Sequence, residues 1–161
     1  MKSSSRKPVV LFDIDYTLFN TRKFKESELQ DYNSYEEVTG ILKQLKNIAS
    51  LGVFSKGEVE FQKTKLRKTG MIKFFQENNI HIFDDKEVNL LDVLEKYKDS
   101  KLFFVDDKLG ILYSAKKHMP GIITVWVKRG PYAAIQKPIE DFVPSATINN
   151  LSNLYDIVSK N

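Results

Sequence analysis

Two aspartates, Asp13 and Asp15, stand one isoleucine apart at the end of the apolar run Val9-Val10-Leu11-Phe12. A second acidic pair, Asp106-Asp107, closes another such run, Leu102-Phe103-Phe104-Val105. Aspartate is depleted in strands and costly to bury without a partner. Such residues at the tip of a buried strand call for a reason. Carboxylates in this position can hold a cation, move a proton or attack an electrophile. The plain alternative is that each pair turns the chain and caps the helix after it.

The surrounding pattern decides where these residues lie. Residues 9–12, 51–54, 80–83, 102–105, 122–127 and 146–148 are short, apolar and without alternation, as strands buried on both faces should be. Helical segments fit between them, over residues 36–48, 58–75, 87–98, 109–118 and 151–158. The segment 87–98 carries Val88, Leu91, Leu94 and Tyr97 at three-residue steps, an expected core stripe. Gly70 marks a break in the segment 58–75. A β-α-β-α order predicts a doubly wound, mainly parallel α/β sheet with helices on both faces. In such sheets ligands bind at the carboxyl ends of the strands. Those ends carry Asp13, Asp15 and Thr17, then Ser55, then Asp84, Asp85 and Lys86, then Asp106 and Asp107.

Composition narrows the classes. A chain of 161 residues with 42% hydrophobic residues can bury one ordinary core. The expected organisation is a mobile tail over residues 1–7 and one domain over 8–161, with 18–35 as a small lid. The chain has no cysteine, which excludes disulfides, thiolate zinc sites and a cysteine nucleophile and fits a reducing compartment. Two histidines, His81 and His118, are too few for a histidine-built metal site and are read as structural. A net charge of +4 permits anionic substrates without singling out nucleic acid. The four-residue apolar run before Asp13 is too short for a signal peptide or a membrane span, so a cytoplasmic protein without membrane partners is expected.

The ordered strand ends resemble the haloacid dehalogenase superfamily, whose members are mostly magnesium-dependent phosphatases. The resemblance runs from about Pro8 to Val158. Its most specific motif is Asp13-Ile14-Asp15-Tyr16-Thr17 with Leu18 behind it; Ser55, Lys86 and Phe103-Phe104-Val105-Asp106-Asp107 follow in order. The resemblance implies a Rossmann-like fold with a small or absent cap. It also implies a phosphate monoester hydrolase in which Asp13 forms an aspartyl phosphate and Asp15 serves as acid and then base. A Mg2+ ion would be held by Asp13, the backbone carbonyl of Asp15 and Asp107, with Asp106 supporting from behind. Ser55 and Lys86 would grip the phosphoryl group, with Thr17 bracing the loop on that side; Lys108 is the alternative lysine. Ile111 departs from the pattern, because many members carry an acid there. Haloalkanoic dehalogenation is disfavoured, since that reaction has no need of the acid at Asp15.

Two other readings stand beside this one. A domain with a weakened metal site could bind or regulate without catalysis. A phosphatase with an open cleft could act on nucleic-acid ends or phosphoproteins rather than on a phosphorylated small molecule. The lysines of residues 56–73 would then guide a polyanion, although a solvated helix face explains them too. Lys128-Arg129-Gly130, after the fifth strand, reads as a surface turn or as a reach toward substrate.

Overall fold

The computed structural model describes residues 6–161. The expected mobile tail therefore falls largely on residues 1–5, outside the described residues. Six strands, β1 (Val9–Phe12), β2 (Ser50–Lys56), β3 (Ile80–Phe83), β4 (Leu102–Asp106), β5 (Ile123–Val127) and β6 (Ala146–Ile148), form one sheet. Every pairing is parallel and the order is β3-β2-β1-β4-β5-β6. The chain winds outward from β1 through β2 to β3, then crosses to β4 on the other side of β1. That reversal is the topological switch point, where open α/β sheets leave a crevice at the strand ends.

Among the described residues, seven α-helices complete the fold: α1 (Thr21–Glu26), α2 (Val38–Leu45), α3 (Val59–Lys68), α4 (Leu90–Lys96), α5 (Leu109–His118), α6 (Pro131–Ile135) and α7 (Leu154–Lys160). Strand β1 faces both ways. Val10 and Phe12 join a cluster with Ile41, Leu42, Leu45, Leu66, Leu154 and Val158, beneath α2, α3 and α7. Val9 and Leu11 join the opposite cluster with Leu90, Val93, Leu94, Leu112 and Ala115, beneath α4 and α5. The doubly wound architecture read from the sequence is the architecture found, and no large cap is present among the described residues.

Two expectations change in detail. The stripe on α4 runs through Leu90, Val93, Leu94 and Tyr97; Val88 and Leu91 point to solvent, 74% and 54% exposed. The helix begins two residues later than Val88, so the first two three-residue steps fell on the wrong face while Leu94 and Tyr97 are buried as expected. Helix α3 stops at Lys68, and Gly70 at φ 76° turns the chain into a short 3-10 helix, Met71–Phe74. That is the break expected at this glycine. Helices α1 and α6 escaped the sequence reading because each is too short to develop a periodic apolar face.

Residues 18–35 are built around α1 and packed by aromatic contacts. The Phe24 ring lies 5.2 Å from Phe19 and 4.8 Å from Tyr32, centroid to centroid. Asn20 caps α1 by accepting from the Lys23 amide.

Candidate active site

The site begins with the register of the central strands. Phe12 pairs with Val105, and the Asp13 amide donates to the Val105 carbonyl at 2.9 Å. Asp13 therefore emerges beside Asp106 at the switch point. Oxygen atoms of Asp13, Asp106 and Asp107 all lie within 4.8 Å of one another. All three residues are buried.

Among the described residues, one cation pairs with this cluster. The Lys86 ammonium lies 2.5 Å from Asp106 Oδ2 and 3.3 Å from Asp13 Oδ1. Burial alone would lower the Lys86 pKa, but Asp106 and Asp13 outweigh it and raise it. Asp106 Oδ1 accepts from the Lys108 amide at 2.9 Å, so both its oxygens are engaged. Asp107 is the opposite case: both carboxylate oxygens are buried without a donor. Its polar neighbours are the carboxylates of Asp13 and Asp106, which can bond to it only through a shared proton. Burial, then the charges of Asp13 and Asp106, push the Asp107 carboxyl up to about 10. Burial also raises Asp13 to about 6, opposed by Lys86 and reinforced by Asp106 and Asp15.

A buried carboxylate without donors is expensive, and three together are more so. A bound divalent cation would remove the penalty, and hard oxygen donors suit Mg2+. The donor set fits: Asp13 and Asp107 present oxygen to one point, while Asp106 is held back by Lys86. Ile111 contributes nothing polar. It is buried in the apolar cluster around α5 and borders the site. The loop bearing Asp107 is fixed from behind, where its carbonyl accepts from Trp126 Nε1 at 3.0 Å and Gln136 Nε2 at 2.8 Å.

Asp15 sits in a different setting. Oδ1 accepts from Lys65 Nζ at 2.8 Å and from the Thr21 hydroxyl at 3.0 Å; Oδ2 accepts from Gln62 Nε2 at 3.0 Å. Gln62 and Lys65 share the inner face of α3, and both are buried. The same Gln62 nitrogen lies 3.0 Å from Ser55 Oγ and 3.3 Å from the Lys56 carbonyl. Its approach requires Gly57, which sits at φ 145° and whose added Cβ would meet Gln62 Cγ at 2.8 Å. The Lys65 ammonium lies among rings, 4.6 Å from the Phe61 centroid and 5.2 Å from that of Phe19.

The turn that carries Asp15, from Ile14 to Phe19, is tightly constrained. The Ile14 carbonyl accepts from the amides of Thr17, Leu18 and Phe19. Tyr16 adopts φ 60°, an uncommon conformation for a bulky residue. Arg129 holds the loop from outside, with Nε donating to the Tyr16 carbonyl at 3.3 Å and Nη2 to that of Thr17. Its Nη1 pairs with Glu37 at 2.5 Å, and the guanidinium stacks 3.6 Å from the Tyr35 centroid. The surface-turn reading of Arg129 is therefore corrected: it bonds inward to the loop that follows Asp15.

Asp13, Asp15 and Asp107 border one cavity of about 360 Å³, together with Tyr16, Thr21 and Lys65. Asp13, Lys86 and Asp106 meet in an adjoining cavity of about 70 Å³. The structure gathers these residues at one edge of the sheet, but two phosphate-side candidates are more enclosed than expected. Ser55 is covered by Gln62, and the Thr17 hydroxyl is sealed in the core with no partner. The Thr17 side chain makes no hydrogen bond, and what ties the loop at this residue is its carbonyl, which accepts from Arg129. Lys65 is also corrected: counted with a solvated basic face, it is 4% exposed and bonded to Asp15. The signal for it was present, since Gln62 and Lys65 at a three-residue step flank Leu66, a core position of the same helix. Nothing in the sequence pointed to Gln136 or Thr21. His81 is structural as expected; its ring bonds to the Tyr97 hydroxyl at 2.7 Å.

No family model matches the chain, and no curated protein matches it in sequence. Solved structures do match. A protein of Burkholderia xenovorans described as a haloacid dehalogenase-like hydrolase aligns at TM-score 0.80 and 22% identity, over 96% of this chain and 98% of that one. A structure from Clostridium difficile described as that of a phosphatase aligns at 0.72 and 20% identity, over 96% and 100%. The L-2-haloacid dehalogenase of Xanthobacter autotrophicus, with chloropropionic acid covalently bound, aligns at 0.72 and 12% identity, over 95% and 98%. The chain has the α/β fold of the haloacid dehalogenase-like hydrolases. At these identities the likeness establishes that fold and leaves the reaction to be argued from the site.

Proposed function

We propose that the protein is a Mg2+-dependent phosphate monoester hydrolase working through an aspartyl phosphate on Asp13. The observation that carries this reading is the convergence of Asp13 and Asp15 on one cavity, with the donorless carboxylate of Asp107 beside the first. A Mg2+ ion between Asp13 and Asp107 would neutralise charge on the phosphoryl group. An Asp13 oxygen forms a bond to phosphorus as the bond to the ester oxygen breaks. Asp15 delivers a proton to that departing oxygen. Asp15 then takes a proton from water as the water oxygen bonds to phosphorus. The Asp13–phosphorus bond breaks, leaving inorganic phosphate and the original carboxylate. Lys86 keeps Asp13 and Asp106 in place and lends positive charge to the reacting end.

Asp15 separates this reading from dehalogenation. Halide departs as an anion and needs no proton, whereas the oxygen of a phosphate ester does. Three donors converging on Asp15 fit a group held in position for that transfer. Turnover of 4-nitrophenyl phosphate tests the proposal. Phosphate release should depend on Mg2+, vanish with EDTA and vanish in Asp13→Asn. Steady hydrolysis by that variant, or chloride release from 2-chloropropionate in place of phosphate release, overturns it. Binding of phosphate esters without any turnover would instead support a binding module. We take the substrate to be a phosphorylated small molecule and the setting to be the cytoplasm.

A further inference from the structure

The larger cavity holds more positive charge than phosphoryl transfer uses. Lys86 is committed to Asp13 and Asp106, and Lys65 to Asp15. Three more lysines border the cavity, Lys25, Lys56 and Lys108. Among the described residues none of the three has a carboxylate within 4.0 Å. Lys56 and Lys108 also border the smaller cavity with Asp13 and Asp106, which places them at the reacting end. Lys25, on α1, borders the larger cavity alone, with its ammonium 5.8 Å from the Tyr16 ring centroid. It has no carboxylate partner and stands away from the smaller cavity where Asp13 meets Lys86.

The walls beside Lys25 are aromatic. Tyr16 and Tyr132 meet edge to face at 6.2 Å, and Phe24 and Phe61 lie 6.1 Å apart. Phe61 and Tyr132 remain 43% and 44% exposed. Apolar surface left in water costs roughly 25 cal/mol per Å², and a flat apolar ligand would recover it. A cavity of about 360 Å³ suits a small molecule rather than a polymer segment.

We infer that the leaving group of the substrate is a small aromatic ring carrying a second anionic group, and that Lys25 reads that group. This rests on the hydrolase reading of the same site. Phenyl phosphate and 4-carboxyphenyl phosphate test it, compared as the ratio of their kcat/KM values. Wild-type protein should favour the carboxylated ester about tenfold. Lys25→Ala should bring the ratio near that set by leaving-group chemistry alone, and Lys25→Glu should reverse it. Leaving-group acidity is the same in all three proteins, so a change of ratio reports Lys25. Phe61→Ala should lower the preference for phenyl phosphate over glycerol 2-phosphate about tenfold. A ratio indifferent to Lys25→Glu overturns the inference. If no ester is turned over, the hydrolase reading fails by itself, and calorimetry with phenylphosphonate and 4-carboxyphenylphosphonate decides the question. Tighter binding of the second, lost in Lys25→Glu, supports the inference; equal binding refutes it.

Discussion

Asp13 and Asp15 are separated by one residue, yet their surroundings are opposite. Asp13 stands in a cluster of three buried carboxylates, where it shares Lys86 with Asp106 while Asp107 has no donor at all. Asp15 meets a lysine, a hydroxyl and an amide, one donor or more for each oxygen. The first arrangement is incomplete without something positive between the strand tips. The second is complete within the chain. An unsatisfied cluster marks where a ligand binds, and a satisfied one marks a side chain held still for use.

The largest expected effect tests the incomplete half. Asp13→Asn keeps the shape and removes the nucleophile, so turnover should fall by on the order of 10⁴ or more. The same change takes one negative charge from the cluster and should leave the metal-free protein no less stable. A variant that is inactive because it is unfolded would contradict this, and circular dichroism distinguishes the two.

Asp107→Asn sharpens the contrast through stability. In the metal-free protein Asp107 titrates near 10 and Asp13 near 6, both above the ordinary carboxyl value of 3.8. Between those values the folded chain holds protons that the unfolded chain has released. Stability should therefore fall as pH rises from about 4 through 6 and on toward 10. Mg2+ should oppose that fall, so its effect on Tm should be larger at pH 8 than at pH 5. Asp107→Asn should raise the metal-free Tm at pH 8 by about 4 °C or more and abolish most of the Mg2+ shift. Thermal scans at the two pH values check this, and a Mg2+ shift that survives the substitution would place the ion elsewhere.

The complete half should respond differently. Gln62→Leu and Lys65→Met each remove one donor from Asp15 while filling a similar volume. Each should lower kcat by about 10- to 100-fold, the scale of a misplaced catalytic group, with KM changed little. Mg2+ should still raise Tm in both variants, because the cation cluster is untouched. Loss of the Mg2+ shift in Gln62→Leu would mean that the two halves are one unit.

The same contrast explains what the sequence made legible. Buried parallel strands are continuous apolar runs, so the residue that ends each run is visible in one dimension. Asp13, Asp15, Ser55, Asp106 and Asp107 could all be found that way, and the fold with them. Thr21, Gln62 and Lys65 act from helices, where a polar residue facing inward looks like any polar residue until the helix is docked. Val88 and Leu91 failed for the related reason that the helix start fixes which face is buried. Arg129 bonds to backbone carbonyls of a loop more than a hundred positions earlier, and no local pattern announces such a contact.

Arg129 supplies the smallest effect and bears on how the two halves are joined. It holds the carbonyls of Tyr16 and Thr17 immediately beyond Asp15, and pairs with Glu37. Burial alone would raise the Glu37 pKa, but bonds from backbone amides and from Arg129 hold it below the ordinary value. A depressed carboxyl contributes stability that is present above its unfolded pKa and lost as pH falls through its folded value. Arg129→Met should therefore cost about 1–2 kcal/mol near neutral pH, discounted for partial exposure of the pair, and less below about pH 4. Urea unfolding at pH 7 and pH 4 measures the difference. The loop also keeps its own hydrogen bonds through Ile14, so kcat should fall no more than about fivefold. A loss as large as that of Gln62→Leu would show that the separation of the two aspartates is set by Arg129 and not by the turn itself.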